Sequence, residues 1–509
     1  MEATGRPWPN GETPLIGREH TTLGIIRRPP TVAKGAVVDV VSTLGDWYAD
    51  SGPLYQRLAG AVRRAVADGR LQPGTLLPAE RRLAERLSIG RSTVIRAYDL
   101  LRDEAVLESR RGSGTWVAGA EPGDGGVRHD GLQRVAPSIG DDVVDLATAS
   151  LPAPAELAAA LRALGDGPLG DALLRPGYSH AGVAELREAI AAQFTADGLP
   201  TVPREILITT GAQQAMDLIV RHFTSRGDAV VMEDPSSAGA LDLLSEAGCV
   251  VHTAPSVASG GAEPITEVLR RRAPQLVYLQ VPLGPEGTMA RGGDVVTLAR
   301  RLPEEAIVVE DASLRDLAFD RDPPPYLAAR APADRVLTVG SMSKVYWGGL
   351  RVGWIRGAEK IIERLARTKA RADLGTPVLS QHVSAWMLRR RDGVLAARLD
   401  QIRTSRDALA AALTELLPDF AWTPPDGGLT IWALMPHGTS EPFAELAHAH
   451  GVLVATGESL SPSGRNSDRL RLSYAPPPEV IREGVIRLAR AWADFDRRTR
   501  TAAMKGPAP

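Results

Sequence analysis

The chain has 509 residues, 44% hydrophobic and 24% charged, an ordinary globular composition that excludes a disordered or collagen-like polymer. At about 150 residues per domain there is room for roughly two to four domains, and no apolar run approaches the roughly 18 residues of a membrane helix. One cysteine, Cys249, excludes an intrachain disulfide and a cysteine-rich zinc site. The polar stretch from Met1 to Asn10 does not read as a signal peptide. A soluble, cytoplasmic protein with no metal and no membrane contact is expected.

The 59 basic and 61 acidic side chains nearly cancel, but they are unevenly placed. Residues 53–118 hold twelve arginines, no lysine and seven acidic residues, a net +5, while the remainder has 47 basic against 54 acidic, a net −7. A compact basic segment on an acidic body is the footprint of a polyanion-binding module. Lysine is scarce: five (34, 344, 360, 369 and 505) among the 59 basic residues.

In chain order, residues 1–50 carry Gly and Pro without periodicity and read as a loose arm. Residues 51–118 read as three helices and a two-stranded wing. The first helix, opened by Pro53, shows Leu54, Leu58, Ala61, Val62, Ala65 and Val66 on one face. The second, Ala79 to Leu87, presents Leu83, Ala84 and Leu87. After the turn Ser88-Ile89-Gly90 comes a third, with Val94, Ala97, Tyr98 and Leu101 inward and Arg91, Ser92, Thr93 and Arg96 outward. The alternating stretches Val106–Ser109 and Thr115–Val117 flank Arg110-Arg111-Gly112-Ser113-Gly114. This is a winged helix-turn-helix pattern. Arg and Thr at the start of its third helix suit the major groove of double-stranded DNA. Arg110 and Arg111 beside the glycine-rich tip, Gly112 included, suit phosphates.

Residues 119–142 are rich in Gly, Asp and Pro and read as a linker. From about residue 175, within a body over 143–500, seven apolar runs read as buried strands of a mainly parallel sheet: 206–210, 229–233, 249–254, 276–281, 306–310, 335–340 and 352–356. Polar and glycine-rich residues follow most of them, and in open α/β sheets ligands sit beyond the carboxyl ends of strands. Gly211 opens an apolar helix whose free amides favour phosphate, and Ser341 and Arg351 bracket Lys344 to complete an anion cup. Lys344, in Ser-x-Ser-Lys, suits an imine-forming amine, and Asp311 a partner for a pyridinium nitrogen. Any one of these is ordinary alone; together they specify pyridoxal 5′-phosphate. Residues 501–509 read as a tail.

Two resemblances follow from these motifs. Leu77-Pro78-Ala79-Glu80-Arg81-Arg82-Leu83-Ala84, Gly90-Arg91-Ser92-Thr93-Val94-Ile95-Arg96-Ala97-Tyr98 and Gly112-Ser113-Gly114-Thr115 resemble the GntR family of bacterial regulators, which implies DNA contacts from Arg81, Arg91 and Arg96. Ala79 stands where that family has Ser, a lost N-cap oxygen that costs about 1 kcal/mol. Residues 175 to about 495 resemble a fold-type I aminotransferase with a small C-terminal α+β subdomain. The whole chain therefore resembles a MocR-type transcriptional regulator: an α/β, aminotransferase-like body that senses an effector, in a head-to-tail homodimer whose heads bind operator DNA. The resemblance implies that Lys344 is the Schiff-base lysine and that Asp311 faces the pyridine nitrogen. It gives phosphate to Gly211, Ala212, Gln213, Ser341 and Arg351, with Tyr178 reaching the neighbouring subunit's phosphate. Arg471 would bind the carboxylate of an amino-acid-like effector.

Three departures stand out. The family's Asn-Pro-x-Gly is Gly284-Pro285-Glu286-Gly287, so the amide that faces the cofactor's phenolic oxygen is missing. Its Asp-x-x-Tyr is Asp311-Ala312-Ser313-Leu314, which removes a second donor to that oxygen. Its ring-stacking aromatic is replaced by Ser236-Ser237. At about 0.5–1.5 kcal/mol for each loss the sum is about 1.5–4.5 kcal/mol, roughly tenfold to two-thousandfold in affinity. Weakened cofactor binding and inefficient transamination are expected. Two other readings stay open at this point: a working aminotransferase with a DNA-binding head, and a regulator whose pocket has lost the cofactor.

Overall fold

The computed structural model describes residues 52–117 and 142–504, apart from 68–70, 72–75, 79, 88, 104–105, 111–113, 166–168 and 333. The expected arm, residues 118–141 of the linker region and residues 505–509 lie outside the described residues. Two compact units are present, one within residues 1–125 and one within 126–509.

The head is built on α1 (Leu54–Ala67), α2 (Glu80–Leu87) and α3 (Arg91–Asp103). The helical spacing of their apolar residues closes one core: Leu58, Ala61, Val62 and Ala65 of α1 meet Leu83 of α2 and Val94, Ala97, Tyr98 and Leu101 of α3, all almost fully buried. Burying each leucine is worth about 1.5–3 kcal/mol, so the stripe rather than helix propensity holds these short helices. The Tyr98 hydroxyl donates to the Pro78 carbonyl at 2.9 Å and fixes the entry to α2. The wing departs from expectation. Strands β2 (Leu107–Arg110) and β3 (Gly114–Val117) pair antiparallel, but β1 (Leu76–Leu77) adds a third strand on the far side of β3. Leu77 is buried against the helices, which holds its backbone beside Thr115.

The body begins with β4 (Val144–Asp145). Its main sheet holds the seven expected strands, displaced by a residue or two at their ends: β5 (Ile206–Thr209), β6 (Ala229–Asp234), β7 (Val250–Pro255), β8 (Leu276–Leu279), β9 (Ile307–Asp311), β10 (Val336–Ser341) and β11 (Gly353–Arg356). The order is β5-β11-β10-β9-β8-β6-β7, with β11 antiparallel to both neighbours and the other pairings parallel. Alternate residues feed two cores: Val231, Val277 and Val308 on one face, Val230, Leu276 and Val309 on the other. Burial on both faces explains why these strands read as continuous hydrophobic runs.

A smaller antiparallel sheet follows, in the order β12-β13-β16-β15, from β12 (Ala421–Trp422), β13 (Thr430–Leu434), β15 (Ala455–Thr456) and β16 (Arg469–Ser473). Between them, β14 (Val452–Leu453) pairs parallel with β4, so the first residues of the body are stitched to its C-terminal part. The last helix, Pro478–Met504, runs four residues into the expected tail.

Candidate functional site

The carboxyl ends of the parallel strands face a cavity of about 280 Å³. Lys344, Asp311, Ala212 and Arg471 all line it. Lys344 leaves β10 on a single π-helical turn, Ser343–Trp347, the kind of local widening that recurs at functional sites. That turn is clamped by buried Arg398, whose guanidinium donates to the carbonyls of Val345 and Tyr346 at 3.0 Å each and to that of Pro152. The Lys344 Nζ donates to the Ala149 carbonyl at 2.7 Å. Burial, and secondarily the positive charge of Arg471, push this amine down to about 8 against the pull of Asp311.

Asp311 ends β9. One carboxylate oxygen accepts the Tyr278 hydroxyl at 2.6 Å and the other the Ser313 amide at 3.0 Å, so the group is held at a fixed angle. Tyr278, on the neighbouring β8, is buried; its phenol is raised well above its ordinary value, first by burial and then by the Asp311 charge. Tyr278 therefore braces the acid. Sequence reasoning missed Tyr278, because a tyrosine inside an apolar run reads as a strand hydrophobe.

On the β5 side, Gly211 adopts φ +94° as the N-cap of α4 (Ala212–Phe223), whose first amides are open to an anion. A Cβ at Gly353 would lie 2.7 Å from the Gly211 Cα, so only glycine lets β11 pass under this turn. Arg351, in the left-handed region at φ +51°, donates to the Thr210 carbonyl at 2.7 Å and lies against Gly211. The Ser341 hydroxyl donates to Ser343 Oγ at 3.0 Å and accepts the Ser343 amide at 3.1 Å. The Gln213 side-chain amide donates to the Gly239 carbonyl at 2.9 Å, and its backbone N–H belongs to the first turn of α4, where no intrahelical acceptor is available. Tyr178 stands apart, 70% exposed.

The opposite wall is Arg471 of β16, buried so deeply that its guanidinium is pushed down to about 10 and is still charged at neutral pH. It donates to the Ala147 carbonyl at 2.8 Å, while its Nε is buried without a partner. Three more buried polar atoms without partners belong to residues that line the same cavity: Gln280 Oε1, Ser236 Oγ and Ser313 Oγ. Such atoms cost about 1–3 kcal/mol each unless a guest pairs with them. The remaining wall comes from the strap after β4. Asp145 caps the amides of Ala147 and Thr148, and the carbonyls of Ala147, Thr148 and Ala149 are taken in turn by Arg471, Ser473 and Lys344. Nothing in the sequence pattern marked this strap. Among the described residues no cluster of His, Cys, Asp and Glu could hold a metal ion.

In the head, Arg91, Ser92 and Arg96 are exposed at the start of α3 and Thr93 is half-buried. The Arg96 guanidinium lies 4.6 Å from the ring centre of Tyr55 on α1. Arg81 lies within α2 and Arg110 at the end of β2, whereas Arg111, Gly112 and Ala79 lie outside the described residues.

Comparison with known proteins agrees with both units. Residues 142–488 match the family described as aminotransferase class I and II, and residues 54–117 the gntR family of bacterial regulatory proteins. YisV of Bacillus subtilis, an uncharacterized HTH-type transcriptional regulator, is 30% identical over 83% of this chain and 93% of its own. The probable rhizopine catabolism regulatory protein MocR of Rhizobium meliloti is 29% identical over 60% of this chain and 65% of its own. The chain belongs to the MocR-type regulators. Its body is equally close to enzymes: the α-aminoadipate aminotransferase LysN of Thermus thermophilus, solved with N-(5′-phosphopyridoxyl)-L-leucine, is 30% identical, with a TM-score of 0.62 over 71% of this chain and 96% of that one. This MocR-type regulator is thus a DNA-binding transcriptional regulator with an aminotransferase-like body. The aminotransferase family implies pyridoxal phosphate binding in general. The residues present here fit that group: a buried lysine, a braced carboxylate, a helix start bared by glycine, and polar atoms that lack partners in one cavity.

Proposed function

We propose that the body of this regulator holds pyridoxal 5′-phosphate, weakly for its fold, and reads an amino-acid-like effector without efficient transamination. When bound, the cofactor supplies an aldehyde that captures amines and a ring that absorbs visible light. Lys344, partly neutral near pH 8, offers the attacking amine. Asp311, braced by Tyr278, accepts the ring-nitrogen proton in a hydrogen bond. The amides of Gly211, Ala212 and Gln213, with Ser341 and Arg351, anchor the phosphate. Arg471 takes the effector's carboxylate, its unpartnered Nε waiting for an acceptor. The observation that carries this reading is the convergence of Lys344, Asp311 and Arg471 on one cavity whose wall residues also hold four buried, unpartnered polar atoms.

The DNA-facing residues are Arg81, Arg91, Ser92, Thr93 and Arg96, with Arg110, Arg111 and Gly112 at the wing, and operator binding places the protein in the cytoplasm. A head-to-tail homodimer is supported by large apolar side chains left in solvent on the body, Leu161, Leu173, Leu174, Tyr178, Leu374 and Leu379, all more than half exposed. The test is direct. Purified protein mixed with pyridoxal phosphate should gain a visible band that Lys344→Ala abolishes. A wild-type protein that stays colourless leaves a regulator whose pocket has lost the cofactor.

A further inference from the structure

The missing phenolic-oxygen donor has a replacement in the cavity wall. Gln280 follows β8 directly, and its Oε1 is buried without a partner. A Cβ built on Gly284, the position of the family's asparagine, would meet the Gln280 Cβ at 4.0 Å and nothing nearer outside its chain neighbours. The two side chains would thus start 4.0 Å apart, as neighbours. Glutamine is longer than asparagine by one methylene, which compensates for starting from the adjacent position.

Sheet order fixes what this amide faces. The residues of the anion cup, Gly211, Arg351 and Ser341, sit at the ends of β5, β11 and β10, and Asp311 ends β9. On the cofactor ring the phosphate arm and the phenolic oxygen flank the aldehyde on opposite sides. Were the phosphate held at the ends of β5, β11 and β10 and the ring nitrogen at Asp311, the phenolic oxygen would face the β8 side. Gln280 stands there. Its backbone is held as well: the Gln280 amide donates to the buried Glu233 carboxylate at 2.5 Å, and that carboxylate also accepts the Val257 amide at 2.7 Å. Rotation about the last side-chain bond brings either end of the amide into the cavity, so Nε2 can donate to an anionic oxygen.

We propose that Gln280 is the hydrogen-bond donor to the phenolic oxygen of pyridoxal phosphate, an amide moved from position 284 to position 280. The inference rests on the cofactor reading above. A donor here draws charge from the phenolic oxygen and so weakens that oxygen's hold on the proton of the nitrogen that Lys344 contributes. Loss of the donor therefore raises the pH at which the visible band changes colour, and weakens binding about two- to tenfold.

The experiment titrates full-length protein with pyridoxal phosphate, following the visible band and its pH midpoint. Gln280→Ala should raise both the dissociation constant and the midpoint. Gln280→Glu, nearly the same shape, sets an anion against the phenolic oxygen and should raise the midpoint as well. Gly284→Asn added to Gln280→Ala should return both quantities toward wild type, since there is room for the new side chain. A wild-type band with unchanged affinity and midpoint in both Gln280 variants overturns the assignment and leaves the cofactor reading intact. A wild type with no band removes both.

Discussion

Lys344 is the residue on which the proposed chemistry turns, and its environment leads to a quantitative prediction. An amine held near 8 is about one-tenth neutral at pH 7 and about nine-tenths neutral at pH 9. The rate at which the visible band grows at fixed cofactor should therefore rise about tenfold over that interval and level off. An ordinary lysine near 10.5 would give about a hundredfold rise that continues through pH 10, and that profile would show that burial does not activate Lys344. At this scale the sequence showed the cavity-lining charged residues better than their supports. Lys344, Asp311 and Arg471 carry recognisable chemistry in recognisable words, and all three line one cavity. Tyr278 and Arg398 were illegible because their roles depend on partners 33 and more residues away: Tyr278 on Asp311, Arg398 on the carbonyls of Val345, Tyr346 and Pro152.

Elements were legible where burial imposes a pattern. The seven long strands were visible because both faces of their sheet are covered, and α1 to α3 because each buries a single stripe. Strands of two residues, β1, β4 and β14, have no periodicity to read, and β4 finds its partner some 300 residues later. The element with the most direct functional consequence is α3. Its first turn exposes Arg91, and Arg96 is laid against Tyr55, which limits the arginine's freedom before DNA arrives. Arg91→Ala and Arg96→Ala should each weaken binding to the specific operator by about 1–3 kcal/mol and relax base preference, as residues that read bases do. Equal weakening on operator and random DNA would reassign them to phosphates. Quantitative binding at fixed salt separates the two cases.

For the molecule as a whole, the head closes its own core from residues 58–117, and the body closes its cores without it. The proposed homodimer makes a prediction at this scale, because its interface is assigned to exposed apolar side chains of the body. Leu173→Asp with Leu174→Asp places two charges on side chains that are 71% and 86% exposed, so the fold of the monomer should tolerate them. If the wild type is the proposed dimer, sedimentation should then show a monomer for the variant, with operator affinity reduced because two half-sites are no longer engaged together. A variant that still sediments as a dimer would locate the interface elsewhere.

The strap after β4 gives the cavity a mechanical meaning. Three successive peptides are moored there, and two of the moorings, Lys344 on Ala149 and Arg471 on Ala147, are the same groups that would grasp an incoming guest. A guest that claims the amine and the guanidinium would compete with those peptides, so filling the pocket would cast off two of the strap's three moorings.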